Sequence, residues 1–195
     1  MALIRSLYDW TLSLAAHRYA VWWLAAIAFI ESSVFPIPPD VLLIPMILAA
    51  RERAFRLALV CTAASVIGGM AGYGIGHFLF DAVGRPLVEL YGASAALDGV
   101  KADFAENGWW IVLGGGMTPF PYKVVTIAAG ALDLDPFAFA GASVVGRGAR
   151  FFLVAILLWY FGAPIRDFIE KRLGWVVAAA FVLLIGGFLA IKFLV

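Results

Sequence analysis

The sequence predicts an all-helical integral membrane protein, an inverted repeat of two re-entrant helical hairpins with about three full transmembrane helices. Three observations support this fold class. The 195-residue chain is 64% hydrophobic with a mean hydropathy of +0.98, more than one soluble core requires. A Pro-x-Pro-x-charge motif occurs twice, 83 positions apart, and the apolar runs 54–80 and 137–163 repeat at the same offset. Each motif also interrupts an apolar stretch that is too short for a full crossing.

The two copies of the motif carry opposite charges. They consist of Pro36, Pro38 and Asp40 in the first copy, and of Pro119, Pro121 and Lys123 in the second. Proline lacks an amide donor and disfavours helix in the residue before it, so both copies should break the helix. Non-helical backbone at membrane depth is tolerated only when it is buried in protein or lines an aqueous cavity. We therefore expect two re-entrant hairpins with sheltered tips.

The repeats divide the chain into three parts. A membrane domain is predicted over residues 19–163, with one repeat over about 19–80 and the other over about 109–163. Residues 1–18 carry apolar side chains on one helical face, which predicts either an interfacial amphipathic helix or a simple flanking tail. Residues 174–195 predict a C-terminal transmembrane helix.

Local signals predict how the second hairpin is built. The polar segment 81–108 indicates one or two surface helices, and the first apolar arm begins at Trp109. Glycines 114–116 are expected to loosen this arm before the tip. Thr118 as N-cap and Pro119 as first helical residue predict that the returning helix starts there, with free N–H groups and a positive dipole end at the tip.

Two further patterns predict packing and a helix start. Gly68, Gly72 and Gly76 are four residues apart, so they share one helical face and predict close contact with another backbone. Asp135 followed by Pro136 predicts a helix that begins at the proline, with the aspartate as its N-cap.

The distribution of basic residues predicts the orientation. Residues 1–18 hold two Lys or Arg, residues 51–56 hold three and residues 164–172 hold three, which places these segments in the cytoplasm by the positive-inside rule. The two hairpins then enter from opposite faces, and their tips approach the bilayer midplane. Transporters use this arrangement to build a central site.

Five ionisable residues lie inside the predicted membrane segments, namely Glu31, Asp40, Lys123, Arg147 and Arg150. A charge at the bilayer centre costs about 2.5–3.5 kcal/mol on insertion scales, so these groups should be paired or functional. Arg147 and Arg150 share one helical face. Three cations against two carboxylates leave one cation for an anionic group, and a helix N-terminus beside Lys123 favours the same ligand. The alternative is a salt-bridge network that only fastens the hairpins to the crossing helix.

Other functional classes find little support in the sequence. A net charge of +1 indicates no nucleic-acid partner. No metal-ligand spacing, phosphate-cradling glycine loop or catalytic constellation stands out. We therefore expect no catalytic residues, no metal, no cofactor and no enzymatic activity.

These residues together resemble the DedA family of bacterial membrane proteins, which carry the VTT or SNARE-associated domain. The resemblance rests on Glu31 followed by the stretch 35–40, on the glycine-rich stretch 68–76, and on Pro119 eleven residues before Gly130. Residues 118–123, Thr-Pro-Phe-Pro-Tyr-Lys, most resemble its small YqaA-like branch. The resemblance implies a multi-pass protein of the bacterial inner membrane with two inverted re-entrant hairpins.

The same resemblance implies a role in transport. Family members are regarded as translocases of undecaprenyl phosphate or phospholipids, or as proton-linked transporters. Glu31 and Asp40 match the acidic pair of the family. The common Arg-x-x-Pro-x-x-Arg pattern would place arginines at Gly116 and Tyr122, and this chain has neither. Either Lys123 or the two arginines of the crossing helix supply the missing positive charge.

The sequence therefore predicts translocation of an anionic lipid or a lipid-linked phosphate, with membrane lipids as partners. The candidate headgroup ligands are Lys123, Arg147, Arg150 and Thr118. Glu31 and Asp40 are expected to carry protons or to balance charge. The alternatives are a proton-coupled transporter of small ions or solutes and a non-transporting membrane scaffold. The oligomeric state stays open, and a homo-oligomer is one option.

Overall fold

Six α-helices make up most of the described chain. The computed structural model of the protein describes residues 19–34, 38–84, 86, 94–118, 121–162 and 164, and none of these residues forms a strand. The helices are α1 (Ala20–Ser33), α2 (Asp40–Ala49), α3 (Ala54–Leu79), α4 (Ser94–Met117), α5 (Tyr122–Ala131) and α6 (Pro136–Gly162). A 3-10 turn at Arg51–Arg53 precedes α3, and a short π-helix at Phe80–Gly84 follows it. The predicted all-helical class is therefore confirmed.

Two of these helices are long and apolar enough to cross a membrane. Continuous helix covers the 32 residues Arg51–Ala82, which include α3, and the 27 residues of α6, and 18-residue windows within them have mean hydropathies of 1.7 and 1.6. At 1.5 Å per residue both exceed the hydrocarbon thickness of about 30 Å. By contrast α1, α2 and α5 have 14, 10 and 10 residues. The interfacial helix predicted over 1–18 and the crossing helix predicted over 174–195 lie outside the described residues.

The helix ends repeat along the chain at the offset of the proline motifs. Adding 83 to the ends of α2, 40 and 49, gives 123 and 132, against 122 and 131 for α5. Adding 83 to the ends of α3, 54 and 79, gives 137 and 162, against 136 and 162 for α6. The last residue of α1 maps from 33 to 116, and α4 ends at 117. These five helix ends thus agree between the halves to within one residue, whereas α4 starts nine residues before the position that corresponds to the start of α1.

Two hydrophobic clusters hold the helices together. The first joins α1 and α2 to the first half of α3, through Leu57, and to the second half of α6, through Phe151. The second joins α4 and α5 to the first half of α6, through Phe139, and to the last part of α3, through Tyr73. Because the clusters use opposite halves of α3 and α6, these helices run antiparallel and the two helix pairs pack at opposite ends.

The glycine stripe of α3 brings two other helices into backbone contact. A Cβ at Gly68 would collide with the backbone of Phe29 in α1, and one at Gly76 with the backbone of Ile127 in α5. Gly72 lies between these contacts and is buried. The predicted close packing of the three glycines is therefore confirmed.

The first arm of the second hairpin differs from the prediction. Helix α4 runs without a break from Ser94 to Met117, so the polar segment and the apolar arm form one helix and glycines 114–116 remain helical. Tertiary packing explains this result, because a Cβ at Gly115 would overlap Val125 of α5 and one at Gly116 would crowd the backbone of α6. Packing on both sides stabilises the helix at these positions, although glycine by itself destabilises a helix.

The return helix α5 also starts later than predicted. It begins at Tyr122 with Pro121 in the N-cap position, and no side chain caps it, so the prediction of Thr118 as N-cap is wrong. Pro121 disfavours helical backbone in the residue before it, which prevents a helix from starting at Pro119 and continuing. Pro36 and Pro119 themselves lie outside the described residues.

The start of α6 follows the prediction. This helix begins at Pro136, and Asp135 Oδ1 accepts a hydrogen bond from the backbone N–H of Ala138 at 2.7 Å. The predicted N-cap role of Asp135 is therefore confirmed.

Candidate functional site

The tips of both helix pairs meet halfway along the two long helices. Ser65 is the twelfth of 26 residues in α3, and Arg147 is the twelfth of 27 in α6. Glu31, near the end of α1, and Tyr122, at the start of α5, both contact the Arg147 guanidinium. The charged residues predicted from the sequence are thus gathered at one level of the fold.

Arg147 forms a buried ion pair at this level. Its side chain is 1% exposed, and Nη2 donates to Glu31 Oε2 at 2.6 Å. Nε donates to Ser65 Oγ at 2.6 Å. Its Cζ lies 4.8 Å from the ring centroid of Tyr122 and 4.7 Å from that of Phe151. Nη1 is also buried but has no hydrogen-bond acceptor among the described residues.

Two serines close a cycle of hydrogen bonds around this ion pair. Ser65 Oγ and Ser32 Oγ are 2.7 Å apart, and Ser32 Oγ donates to Glu31 Oε2 at 3.2 Å. We call Glu31, Ser32, Ser65 and Arg147 the central ring, because their contacts return to the starting residue. Thr126 Oγ1 of α5 donates to the Ser32 carbonyl at 3.1 Å. The central ring therefore joins α1, α3 and α6, and Thr126 attaches α5 to it.

Arg150 makes a second ion pair one helical turn further along α6. Nη2 donates to Asp40 Oδ2 at 2.6 Å, and the two side chains are 22% and 20% exposed. Nη1 donates to the backbone carbonyl of Thr118 at 3.1 Å. Thr118 thus contributes its carbonyl to the site. Arg150 links the start of α2 to the residue after α4, so one guanidinium bridges the two tips.

Of the three cations predicted for the site, Lys123 is the one without a carboxylate partner among the described residues. Its Nζ donates to the carbonyl of Val34 at 3.3 Å, and Val34 lies at the tip after α1. The side chain is partly exposed, whereas Arg147 is fully buried. The two arginines are matched by two carboxylates, so the surplus positive charge is that of Lys123.

The two positions at which the resemblance would place arginines both lie beside Arg147. The Tyr122 ring covers its guanidinium. Gly116 is buried, and a Cβ there would come within 3.3 Å of the backbone nitrogen of Arg147. The guanidinium next to these positions is therefore that of Arg147, whereas Lys123 contacts the backbone of the opposite tip.

Sequence patterns did not identify Ser32, Ser65, Tyr122 and Thr126 as site residues. One available signal was the spacing of Ser65, which lies three positions before Gly68 and seven before Gly72 and therefore shares their face. Another was the position of Ser32, directly after the acidic residue at a helix end. A hydroxyl on a packed face of an apolar helix requires a buried partner.

A second polar region lies at the far end of the fold. A cavity of about 390 Å³ between α4 and the α5–α6 turn is lined by Phe104, Trp109, Leu134 and carboxylates that include Asp133. Asp133 pairs with His77 Nδ1 at 2.8 Å. His77 therefore contacts the α5–α6 turn and is separate from the central ring.

The fold and the site together define a class of helical proteins. In this class, two apolar helices of membrane-spanning length pack against short helices, and ion pairs form where the short helices end. A family model described as the VTT domain matches residues 37–160. The VTT domain is the domain of the DedA family of membrane proteins, and the chain therefore belongs to this family. The predicted family is confirmed.

Two relatives extend this likeness over almost the whole chain. The protein is 40% identical over 181 residues to an uncharacterized protein of Haemophilus influenzae, covering 91% of this chain and 93% of the relative. It is 38% identical over 181 residues to an uncharacterized protein of Histophilus somni, covering 91% of this chain and 94% of that protein. No solved structure matches the chain.

Proposed function

We propose that the protein is a multi-pass inner-membrane lipid translocase of the DedA type. It moves an anionic lipid or a lipid-linked phosphate, such as a polyprenyl phosphate or a phospholipid, and acts as a transporter without enzymatic chemistry. The observation that carries the proposal is the meeting of two helix breaks at a charged layer halfway along two apolar helices of spanning length. Ionisable residues within the membrane commonly mark the path of a substrate or ion.

Exposed aromatic residues support a bilayer centred on the charged layer. Phe55 and Phe78 near the ends of α3 are 42% and 78% exposed, and Phe137 and Trp159 near the ends of α6 are 85% and 48% exposed. These pairs are separated by 23 and 22 residues, or about 33–35 Å of helix, which is close to the hydrocarbon thickness of about 30 Å. Aromatic residues favour the two membrane interfaces. In this placement the short helices are re-entrant hairpins and the central ring lies near the midplane.

In the proposed mechanism the headgroup moves past the hairpin tips. Lys123 and Arg147 provide its contacts, whereas Arg150 and the Thr118 carbonyl, which bind each other, border its path. Glu31 and Asp40 balance the two arginines or carry protons during transport. The charge of Lys123 is the one that an anionic headgroup can neutralise without breaking an existing ion pair.

A proteoliposome assay tests this function. Purified protein in phosphatidylcholine vesicles with a trace of fluorescent phosphatidylglycerol should exchange the labelled lipid between leaflets without a pH gradient. Lys123→Ala should lower the rate about tenfold or more, because it removes a charged hydrogen-bonding group. Lys101→Ala, at an exposed position of α4, is the matched control and should keep the full rate. A folded Lys123→Ala protein with an unchanged rate contradicts the proposed headgroup site.

The same vesicles separate the alternatives. A flux of small ions or solutes that requires a pH gradient, without lipid exchange, supports a proton-coupled transporter. The partial burial of Glu31 and its hydrogen bonds to Arg147 and Ser32 favour this as the second candidate. Neither lipid exchange nor solute flux would indicate a membrane scaffold.

Cysteine labelling tests the inverted placement. Glu52→Cys and Asp133→Cys introduce thiols at exposed turns near opposite ends of the long helices, and the native Cys61 is fully buried. A membrane-impermeant maleimide should label the first variant only from the cytoplasmic side and the second only from the other side. Labelling of both variants from one side rules out the placement.

A further inference from the structure

One edge of the Arg147 guanidinium has donors that the described chain does not use. Nε and Nη2 each donate a hydrogen bond within the central ring, and the rings of Tyr122 and Phe151 both contact the guanidinium. Only the in-plane Nη1 edge remains, and it is buried without an acceptor among the described residues. A buried charged donor without a partner is unfavourable. Because the aromatic rings and the central ring hold the guanidinium in place, Nη1 keeps one orientation and can donate to an added acceptor.

The surroundings of this edge favour an anion with several oxygens. Tyr122, whose ring covers the guanidinium, is the first residue of α5, and no side chain caps that helix. Lys123, the next residue, has no carboxylate partner in the described segments. The contact between Tyr122 and Arg147 thus connects the guanidinium to the start of α5, where the lysine is the next residue. A phosphate group can accept hydrogen bonds from all three kinds of donor.

Arg150 lacks comparable freedom. One of its terminal nitrogens donates to Asp40 and the other to the Thr118 carbonyl. These contacts connect the two tips, so the guanidinium acts as a brace between them. If Arg150 turned toward a ligand, Asp40 and Thr118 would lose the side chain that connects them.

We propose that the Nη1 edge of Arg147 is the docking point for a phosphate oxyanion, with Lys123 as second contact, and that Arg150 is a positioning residue. This inference rests on the proposed function and deepens it by assigning different roles to the two arginines. Because Arg147 is fully buried, the ligand reaches it when the end of α1 and the start of α5 move apart. The hydrogen bonds from Lys123 to Val34 and from Thr126 to Ser32 join these two regions and open in that step.

Calorimetric titration of the full-length protein in detergent tests the assignment. The probes are inorganic phosphate, dioctanoyl phosphatidic acid and dioctanoyl phosphatidylcholine as control. Arg147→Lys keeps the charge opposite Glu31 but removes the fork, and it should weaken binding of the phosphate probes at least about tenfold. The matched variant Arg150→Lys should change binding less than about threefold while lowering thermal stability. Equal losses in both variants, or the reverse order, overturn the assignment.

Each probe has a distinct meaning. Binding of inorganic phosphate and of the phosphatidic acid supports a phosphate site open to either source. Binding of the phosphatidic acid alone supports a lipid headgroup as the source. Binding of neither probe to the wild-type protein overturns the proposal.

A second measurement covers the case in which Arg147→Lys does not fold. In wild-type protein with ¹⁵N-labelled arginine, the Nη signals of one buried arginine should shift on titration with phosphate and persist in Arg150→Lys. A shift that disappears in Arg150→Lys contradicts the assignment. Lipid exchange in vesicles without phosphate binding would leave the proposed function standing and remove this site, whereas binding without exchange would do the opposite.

Discussion

Replacing Glu31 by glutamine removes the charge opposite Arg147 and leaves the shape of the side chain nearly unchanged. The Arg147 side chain is 1% exposed and that of Glu31 is 13% exposed, so water cannot replace the lost carboxylate. Breaking a buried ion pair from one side costs about 3–5 kcal/mol. For a chain of this length about 2–4 °C of melting temperature corresponds to each kcal/mol, so the expected loss is on the order of 10 °C.

The second ion pair provides the comparison. Asp40 and Arg150 are each about one-fifth exposed, and solvent screening reduces the expected cost of Asp40→Asn to roughly 1 kcal/mol. Glu52→Gln is the negative control, because Glu52 is 73% exposed and its contact with Arg53 is 3.8 Å long. Dye-monitored thermal unfolding in detergent should rank the three variants in this order.

A second substitution, at Arg147, should rescue the stability lost in Glu31→Gln. A Glu31→Gln/Arg147→Gln double variant removes both buried charges, so it should recover most of the stability lost in Glu31→Gln alone. If Asp40→Asn destabilises the protein as much as Glu31→Gln, burial does not set the strength of these pairs and the argument fails. The same conclusion follows if the double variant is no more stable than the single one.

Three further predictions concern the fold. Gly76→Ala should destabilise the protein by more than 2 kcal/mol, since its Cβ would collide with the Ile127 backbone, whereas Gly74→Ala, which has open space, should be neutral or stabilising in the same unfolding assay. Asp135→Ala should cost about 1 kcal/mol by removing the α6 cap, and Asp135→Asn should keep most of that stability; equal losses in both would contradict the capping role. Tyr73→Phe should cost about 1 kcal/mol through loss of its 2.6 Å hydrogen bond to the Leu134 carbonyl, and an unchanged melting temperature would show that this contact contributes nothing.

Sequence patterns predicted the helix breaks and starts that depend on neighbouring residues. Proline acts on its own residue and the one before it, so α1 ends before the first motif and α4 before the second. The cap at Asp135 is equally local. The predicted start of α5 was wrong because two local preferences compete. Thr118 and Pro119 favour a helix start, whereas Pro121 disfavours helix in the residue before it, and the effect of Pro121 prevails.

Long-range packing decided the features that the sequence did not reveal. The three-residue spacing places Arg147 and Arg150 on one face of α6. The position of α1 and α2 along α6 determines which carboxylate contacts which arginine. Glycines 114–116 remain helical because α5 and α6 pack against them. Sequence alone gives no account of such contacts, since they join residues more than a hundred positions apart or on different helices.

The crossed arrangement of the two hydrophobic clusters makes each repeat dependent on the other for folding. Helices α1 and α2 complete their cluster with the second half of α6, and α4 and α5 complete theirs with the last part of α3. A fragment containing only one repeat would therefore leave apolar surface of both its short helices and its long helix uncovered. Each half of the chain thus serves as the missing wall of the other, and we expect neither half to fold when expressed alone.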